Sequence, residues 1–272
     1  MRISITHTTT YRADPPARAI QALRLAPKSC RGQHVAHWTV SATGAGVPMR
    51  YTDAFGNAVD LISSHGAVGE IVITATGVVE TSDTAGVVGP TGEAVLPPVF
   101  LRGTDLTEPD AAIEAFARRC AHEDRLTALH AMLDGLHETV AYETGSTEST
   151  TTAAAAFAAK RGVCQDHAHI FIAAARVLAI PARYVTGYLL TGEGAAVAHH
   201  AWAEALAPDI GWVGFDPANG QCPTERYVRL AIGLDALGAA PVRGVRLGAA
   251  SEKLDVSVSV AEASQGQSQR QQ

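Results

Sequence analysis

No Cys-x-x-Cys pair occurs anywhere in the 272 residues, and the four cysteines, Cys30, Cys120, Cys164 and Cys222, are widely separated. A disulfide framework or a zinc ribbon needs thiols at closer, recurring spacings, so neither is expected. A run of apolar residues long enough to span a bilayer is also missing. The opening segment Met1-Arg2-Ile3-Ser4-Ile5-Thr6-His7 alternates apolar and polar residues and lacks the apolar core of a secretory signal. Reduced thiols in the cytoplasm are the resulting expectation. Basic charge is short too: 21 Lys and Arg stand against 27 Asp and Glu, a net charge of −6. Nucleic acids and anionic membranes are bound through cationic excess, so neither is expected as a partner.

What remains is an ordinary globular composition, 47% hydrophobic and 18% charged, on a chain long enough for one large or two modest folding units. The first hundred residues read as an antiparallel β module. Ile3, Ile5 and Tyr11 fall at odd positions, and Trp38-Thr39-Val40 and Glu70-Ile71-Val72-Ile73-Thr74-Ala75-Thr76 supply β-branched runs between Gly and Pro. A sandwich-like module over residues 1–100 is expected. A boundary follows at Val95-Leu96-Pro97-Pro98, and Thr107-Glu108-Pro109-Asp110 offers a helix start with proline in its first turn.

Beyond the boundary, over residues 108–260, helices and strands mix. Leu126, Leu129, Leu133, Leu136 and Val140 recur at spacings of three and four, the core stripe of an amphipathic helix. A polar loop over 143–150 leads to an Ala-rich helix at 152–160, capped by Thr and stopped by Gly162. A second helix runs from Cys164 to Ala179, ended by Pro181. Strands are expected at 183–190, 198–205 and 212–215, and a last one at 255–260. The Gln- and Ser-rich end, 261–272, reads as a disordered tail.

The chemistry concentrates in three of these segments. In Arg161-Gly162-Val163-Cys164-Gln165-Asp166-His167 a cysteine opens a helix, where free amide N–H groups and the positive dipole end favour thiolate over thiol. In His199-His200-Ala201-Trp202-Ala203-Glu204, strand alternation puts His200, Trp202 and Glu204 on one face and Ala201, Ala203 and Ala205 on the other. The short strand Gly211-Trp212-Val213-Gly214-Phe215-Asp216 ends in a carboxylate before Pro217. An Asp beside a His-bearing strand can fix the imidazole tautomer, the third role in nucleophile–base–orienter logic.

Gly-Val-Cys-Gln-Asp-His at 162–167, His-Ala-Trp-Ala-Glu at 200–204 and Trp-Val-Gly-Phe-Asp-Pro at 212–217 resemble, in order, the three blocks of the transglutaminase-like superfamily. The resemblance covers roughly residues 108–246, and the segment before it resembles the β-rich N-terminal region of bacterial members. It implies an α+β fold in which a Cys-bearing helix packs on an antiparallel sheet, as in papain. It also implies Cys164 as nucleophile, His200 as base and Asp216 as orienter. The implied chemistry is acyl transfer: thiolate attack on an amide, loss of the amine, and release of the thioester by water or by a second amine. Bacterial members are largely protease-like, which favours a peptidase or amidase over a cross-linking enzyme, with a peptide or protein amide as substrate and no cofactor or metal. The Cys164 amide and, as second donor, Tyr142 are the oxyanion-hole candidates.

Several neighbours have plainer readings. Asp166 sits in the first helical turn and suits the helix dipole. His167 and His169 are two helical positions apart and cannot share a face to hold zinc. His199 points away from His200, Trp202 suits a core, Cys222 suits a buried inert thiol, and Glu204 has no assigned role. Two non-enzymatic alternatives stand beside the enzyme: a transglutaminase-like scaffold used only for binding, and an N-terminal module that takes a peptide at a sheet edge. The small polar loops 143–150 and 191–197, flanking the nucleophile and the base, offer no apolar wall against water.

Overall fold

The computed structural model describes residues 1–64, 66–90, 95–191, 199–248 and 250–263. Of the tail expected over 261–272, residues 261 and 262 instead end a strand, and 264–272 lie outside these described residues, as do most of the 191–197 loop and Ala198. Near the N-terminus the chain forms one 25-residue strand, β1 (Arg2–Ala26), followed by β2 (Gln33–Thr43), β3 (Met49–Thr52), β4 (Ala58–Ser63) and β5 (Val68–Thr81). Ile3 and Ile5 are fully buried in its first half, and Leu23 and Leu25 in its second. The two halves serve different neighbours: residues 2–12 pair with β5 and residues 20–26 with β4, with a shift of register after Arg12. The inner faces of both halves close on one core with Ile62, Ile71 and Ile73.

A short strand, β6 (Val87–Gly89), precedes two 3-10 turns, at Pro97–Leu101 and Asp105–Thr107. Helix α1 (Ala111–Cys120) then begins, and its N-cap is Asp110, whose carboxylate accepts from the amides of Ala112 and Ile113. Pro109 therefore precedes the cap instead of sitting in the first turn. Helix α2 (Arg125–Thr139) buries Leu129, Leu133 and Leu136 as its spacing requires, and Val140 is its C-cap. A two-residue strand β7 (Ala141–Tyr142) runs parallel to β8 (Arg161–Gly162), and α3 (Ala153–Ala159) lies between them. Thr152 caps α3 through Ala155, as expected. Its stop is Lys160, in the left-handed region at φ 54°, and not Gly162.

Gly162 has another task. A β-carbon there would lie 2.6 Å from Cβ and 2.7 Å from Oδ2 of Asp166, so glycine is needed for the chain to enter the next helix. That helix, α4 (Cys164–Val177), is polar in its first turns and apolar through its middle, with Ala168 and the run Ile170–Ala175 fully buried. It packs on strands β9 (Ala182–Leu189), β10 (His199–Ala207) and β11 (Gly211–Phe215), with Ala201, Ala203 and Ala205 supplying the flat side.

Strand β12 (Tyr227–Gly233) completes an antiparallel sheet in the order β12-β9-β10-β11-β6. Alternation does not single out Tyr227-Val228-Arg229-Leu230, so β12 is not expected from the sequence. The last strands, β13 (Val242–Leu247) and β14 (Ser251–Glu262), return to pair with β1. The strand expected at 255–260 thus forms, but as a partner of the N-terminal strand and not as part of the α4 sheet. In exchange, β6 from the N-terminal segment edges the α4 sheet. Tyr188, Val228 and Leu230 of that sheet enter the core of the β1 module, so the two parts share apolar surface.

Candidate active site

Cys164 is the first residue of α4, and Val163 is the extended N-cap. Asp166 serves as expected for a structural carboxylate: its Oδ2 accepts from the Val163 amide at 2.8 Å and from the Thr147 hydroxyl at 2.6 Å. Gln165 adds a bond from Nε2 to the Ser149 carbonyl at 3.1 Å. These contacts fasten the polar loop after Tyr142 to the helix start. The thiol itself is half-buried.

His200 arrives from β10. Pairing of His200 with Gly187 and of Ala203 with Phe215 sets the strand between β9 and β11, and Asp216 follows at the end of β11. Nε2 of His200 donates to Oδ2 of Asp216 at 2.7 Å, with Asp216 fully buried. Burial opposes the charged imidazolium, but the hydrogen bonds from His200 to Asp216 and Cys164 and their charges outweigh it, lifting the imidazole to about 10. Burial likewise opposes the Asp216 carboxylate, and its bonds from His200, Asn219 and Tyr227 hold it below the ordinary range. The three residues expected from sequence therefore meet, with the imidazole between thiol and carboxylate.

Three residues around Asp216 are not expected from sequence. Asn219 Nδ2 and the Tyr227 hydroxyl each donate to Oδ2 at 2.7 Å, and Gln221 Nε2 donates to the Tyr227 oxygen at 2.9 Å. A tight turn brings two of them close, because the Asp216 amide bonds the Gln221 carbonyl at 2.8 Å. The Asp-Pro-Ala-Asn-Gly run signals such a turn; nothing local signals Tyr227, which comes from β12.

The surrounding residues take structural places. Trp202 is buried with Val185, Trp212, Tyr227 and Phe100, a core role, although its ring also stacks on His200 at 6.2 Å. Glu204 is fully buried between two guanidinium groups, 2.7 Å from Arg183 and 2.6 Å from Arg229. Burial opposes its charge, and the two arginines prevail, holding it at about 2. His167 faces the carbonyl oxygens of Val163 and Val140 with its two ring nitrogens, while His169 Nε2 accepts from the Ala236 amide. His199 packs against His7 and Tyr188. Burial pushes the Cys222 thiol up to about 11. Tyr142 is 54% exposed, its ring 6.2 Å from that of His167, and Cys164 and Asp216 both add to the burial that raises its hydroxyl. Among the described residues, no three His, Cys, Asp or Glu side chains cluster in a way that could hold a metal ion.

Comparison with known proteins agrees with this architecture. Residues 114–217 match the transglutaminase-like superfamily core, and residues 3–80 match the bacterial transglutaminase-like N-terminal region. The chain belongs to the transglutaminase-like superfamily. An uncharacterized protein of Mycobacterium leprae is 30% identical over 276 residues, covering 95% of this chain and 98% of its own. Another, from Mycobacterium tuberculosis, is 29% identical over 293 residues, covering 95% and 92%. In fold, the chain is similar to the crystal structure of a candidate cysteine protease from Cytophaga hutchinsonii, with a TM-score of 0.77 at 23% identity over 97% of this chain and 91% of that one.

Proposed function

We propose that this chain is a cysteine-dependent acyl-transfer enzyme that hydrolyses peptide or side-chain amides, with Cys164 as nucleophile, His200 as base and Asp216 as its orienter. The 2.7 Å bond from His200 Nε2 to a fully buried carboxylate, on an imidazole that also partners the Cys164 thiol, carries the reading. Superfamily membership supports the general chemistry.

In this reading the thiolate attacks the amide carbonyl and the imidazolium delivers its proton to the leaving amine. The thioester is then cleaved by water, with His200 taking the water proton. The Cys164 amide at the start of α4 faces the developing oxyanion, and the Tyr142 hydroxyl is the proposed second donor. Asp216 holds the Nε2 proton, which leaves Nδ1 to exchange protons with sulfur.

Water as acceptor is supported by the near wall of the site. Exposed Glu143, Thr144 and Gly145 follow the half-exposed Tyr142, and the half-buried thiol is within solvent reach. Selective transfer to an amine has to overcome water at about 55 M, which demands an effective local amine concentration far above millimolar. Incubating the protein with a labelled glutamine-containing peptide and millimolar primary amine separates the two by mass spectrometry. Free acid is the expected main product; amine conjugate in excess would replace hydrolysis with cross-linking. A second reading, a binding module without chemistry, predicts neither product.

A further inference from the structure

Three hydrogen-bond donors converge on one oxygen of Asp216: His200 Nε2, Asn219 Nδ2 and the Tyr227 hydroxyl, each at 2.7 Å. Among the described residues, the other oxygen, Oδ1, receives the Asn219 amide at 3.4 Å. A carboxylate oxygen offers two good in-plane acceptor directions, so donors on Oδ2 compete for the same negative charge. We propose that Tyr227 is a positioning residue that shares the Asp216 carboxylate with His200 and keeps the imidazolium from being held too tightly to release its proton. The inference rests on the cysteine-enzyme reading above and assigns a further residue to its proton transfer.

The placement of Tyr227 is fixed from two sides. Its ring meets His200 at 5.8 Å and Trp202 at 5.5 Å, both edge-on, which sets where the hydroxyl points. Gln221 Nε2 then donates to the phenol oxygen at 2.9 Å. A phenol oxygen that accepts this bond has its own hydrogen directed onward to Asp216, and the two bonds polarise each other. The phenol is neutral and strongly resists ionisation, because burial and the nearby Asp216 charge both raise it. It therefore acts as a fixed dipole with its positive end on Oδ2.

The consequence falls on the proton that must leave His200. An imidazolium that faces the full charge of Asp216 is a poor acid toward a departing amine, and general acids work best when neither too strong nor too weak. The other ionisable groups acting on the ring are Cys164 from α4, Asp216 after β11 and His199 next to it on β10, while Tyr142 from β7 feels the Cys164 and Asp216 charges. To these Tyr227 adds an uncharged phenol that, like Asn219, donates to Oδ2 and draws charge from the carboxylate without carrying any itself.

The test is an NMR titration of the full-length protein labelled with 13C at histidine Cε1, with the His200 signal identified by its loss in His200→Gln. Tyr227→Phe removes only the hydroxyl, and the His200 midpoint should rise by about 0.5 in pH, a fraction of the roughly 1–2 in pH that a hydrogen bond to a charged group is worth, because the phenol acts on His200 only through Asp216. Gln221→Met, which deletes the support of the phenol, should move it less and in the same direction. A purely structural Tyr227 leaves the midpoint in place. An unchanged or lowered midpoint in a folded Tyr227→Phe overturns the proposal. If that variant does not fold, Gln221→Met decides the question in its place, and an unchanged or lowered midpoint there overturns the proposal equally. The titration needs no substrate, so an inert Cys164 toward iodoacetamide would refute the enzyme reading separately.

Discussion

The ring of His7, in β1, meets the ring of His199, next to the proposed base, edge-on at a centroid distance of 5.2 Å. His7 also bonds the Tyr188 hydroxyl at 3.0 Å and Thr9 at 3.1 Å, so the N-terminal strand touches the strand pair that carries His200 through a buried polar joint. Burial lowers His7 to about 4, and burial with the neighbouring His7 and His200 charges lowers His199 to about 3. Both are neutral in the fold. A lowered histidine contributes stability that is whole above the ordinary value near 6.5 and is lost as pH falls toward the folded value. His7→Gln should therefore lose less stability than wild type between pH 7 and pH 5, by roughly 2 kcal/mol. Urea unfolding at the two pH values measures it, and equal losses would refute the role of this joint.

Glu204 is the buried centre of a different cluster. Its charge is stabilised by Arg229 and Arg183 against complete burial, so its contribution is present above the ordinary carboxyl value and fades as pH falls toward about 2. Glu204→Gln should cost about 3–5 kcal/mol, the usual penalty for breaking a buried ion pair from one side. The expected signature is a large drop in urea midpoint at pH 7 that shrinks as the pH approaches 2. Arg183 lies with its guanidinium 3.9 Å from the centre of the Trp212 ring, so the variant should also change tryptophan fluorescence.

Asp216→Asn leaves a side chain that can accept from Asn219 and Tyr227 but gives up the charge facing His200. The analogous change in a serine triad costs about ten-thousand-fold. Here the thiolate can form with less help from the base, and a loss of roughly 100-fold to 1,000-fold in acylation rate is expected. A variant as fast as wild type would remove Asp216 from the mechanism.

His200 and His199 should separate cleanly. His200→Ala is expected to abolish acylation while keeping the fold, whereas His199→Ala opens space against His7 and Tyr188 and should lower stability by about 1–3 kcal/mol with acylation retained. Circular dichroism and active-site labelling of the two variants check the pair. Loss of acylation from a folded His199→Ala would reassign the base.

Much of this site is readable because each member leaves a local trace. Cys164 stands at a helix start, His200 on an alternating strand with small residues opposite, and Asp216 where a proline ends a ladder. What escapes the sequence is whatever depends on distant pairing. Tyr227 reaches Asp216 only because β12 lies beyond β9 in a sheet whose order differs from the chain order. The partnership of β14 with β1, from opposite ends of the chain, has no local mark, since an alternating strand looks the same in either sheet. Gly162 reads as a helix stop, and only the packed Asp166 side chain reveals it as clearance for the turn into α4. Glu204 shows alternation but not its arginines, which come from two other strands.

The proposed chemistry stands or falls on Cys164 as a nucleophile set apart from its three fellow thiols. Burial raises both Cys120 and Cys222, the latter to about 11, which keeps them protonated, while Cys164 sits at the start of α4 beside an imidazole. The direct measurement is the rate of iodoacetamide alkylation of each cysteine in the native protein at pH 6, followed by peptide mass analysis. Cys164 should be modified at least about tenfold faster than Cys30, Cys120 or Cys222, and His200→Ala should abolish the difference. Equal rates at all four cysteines, or faster modification of any other, would contradict it.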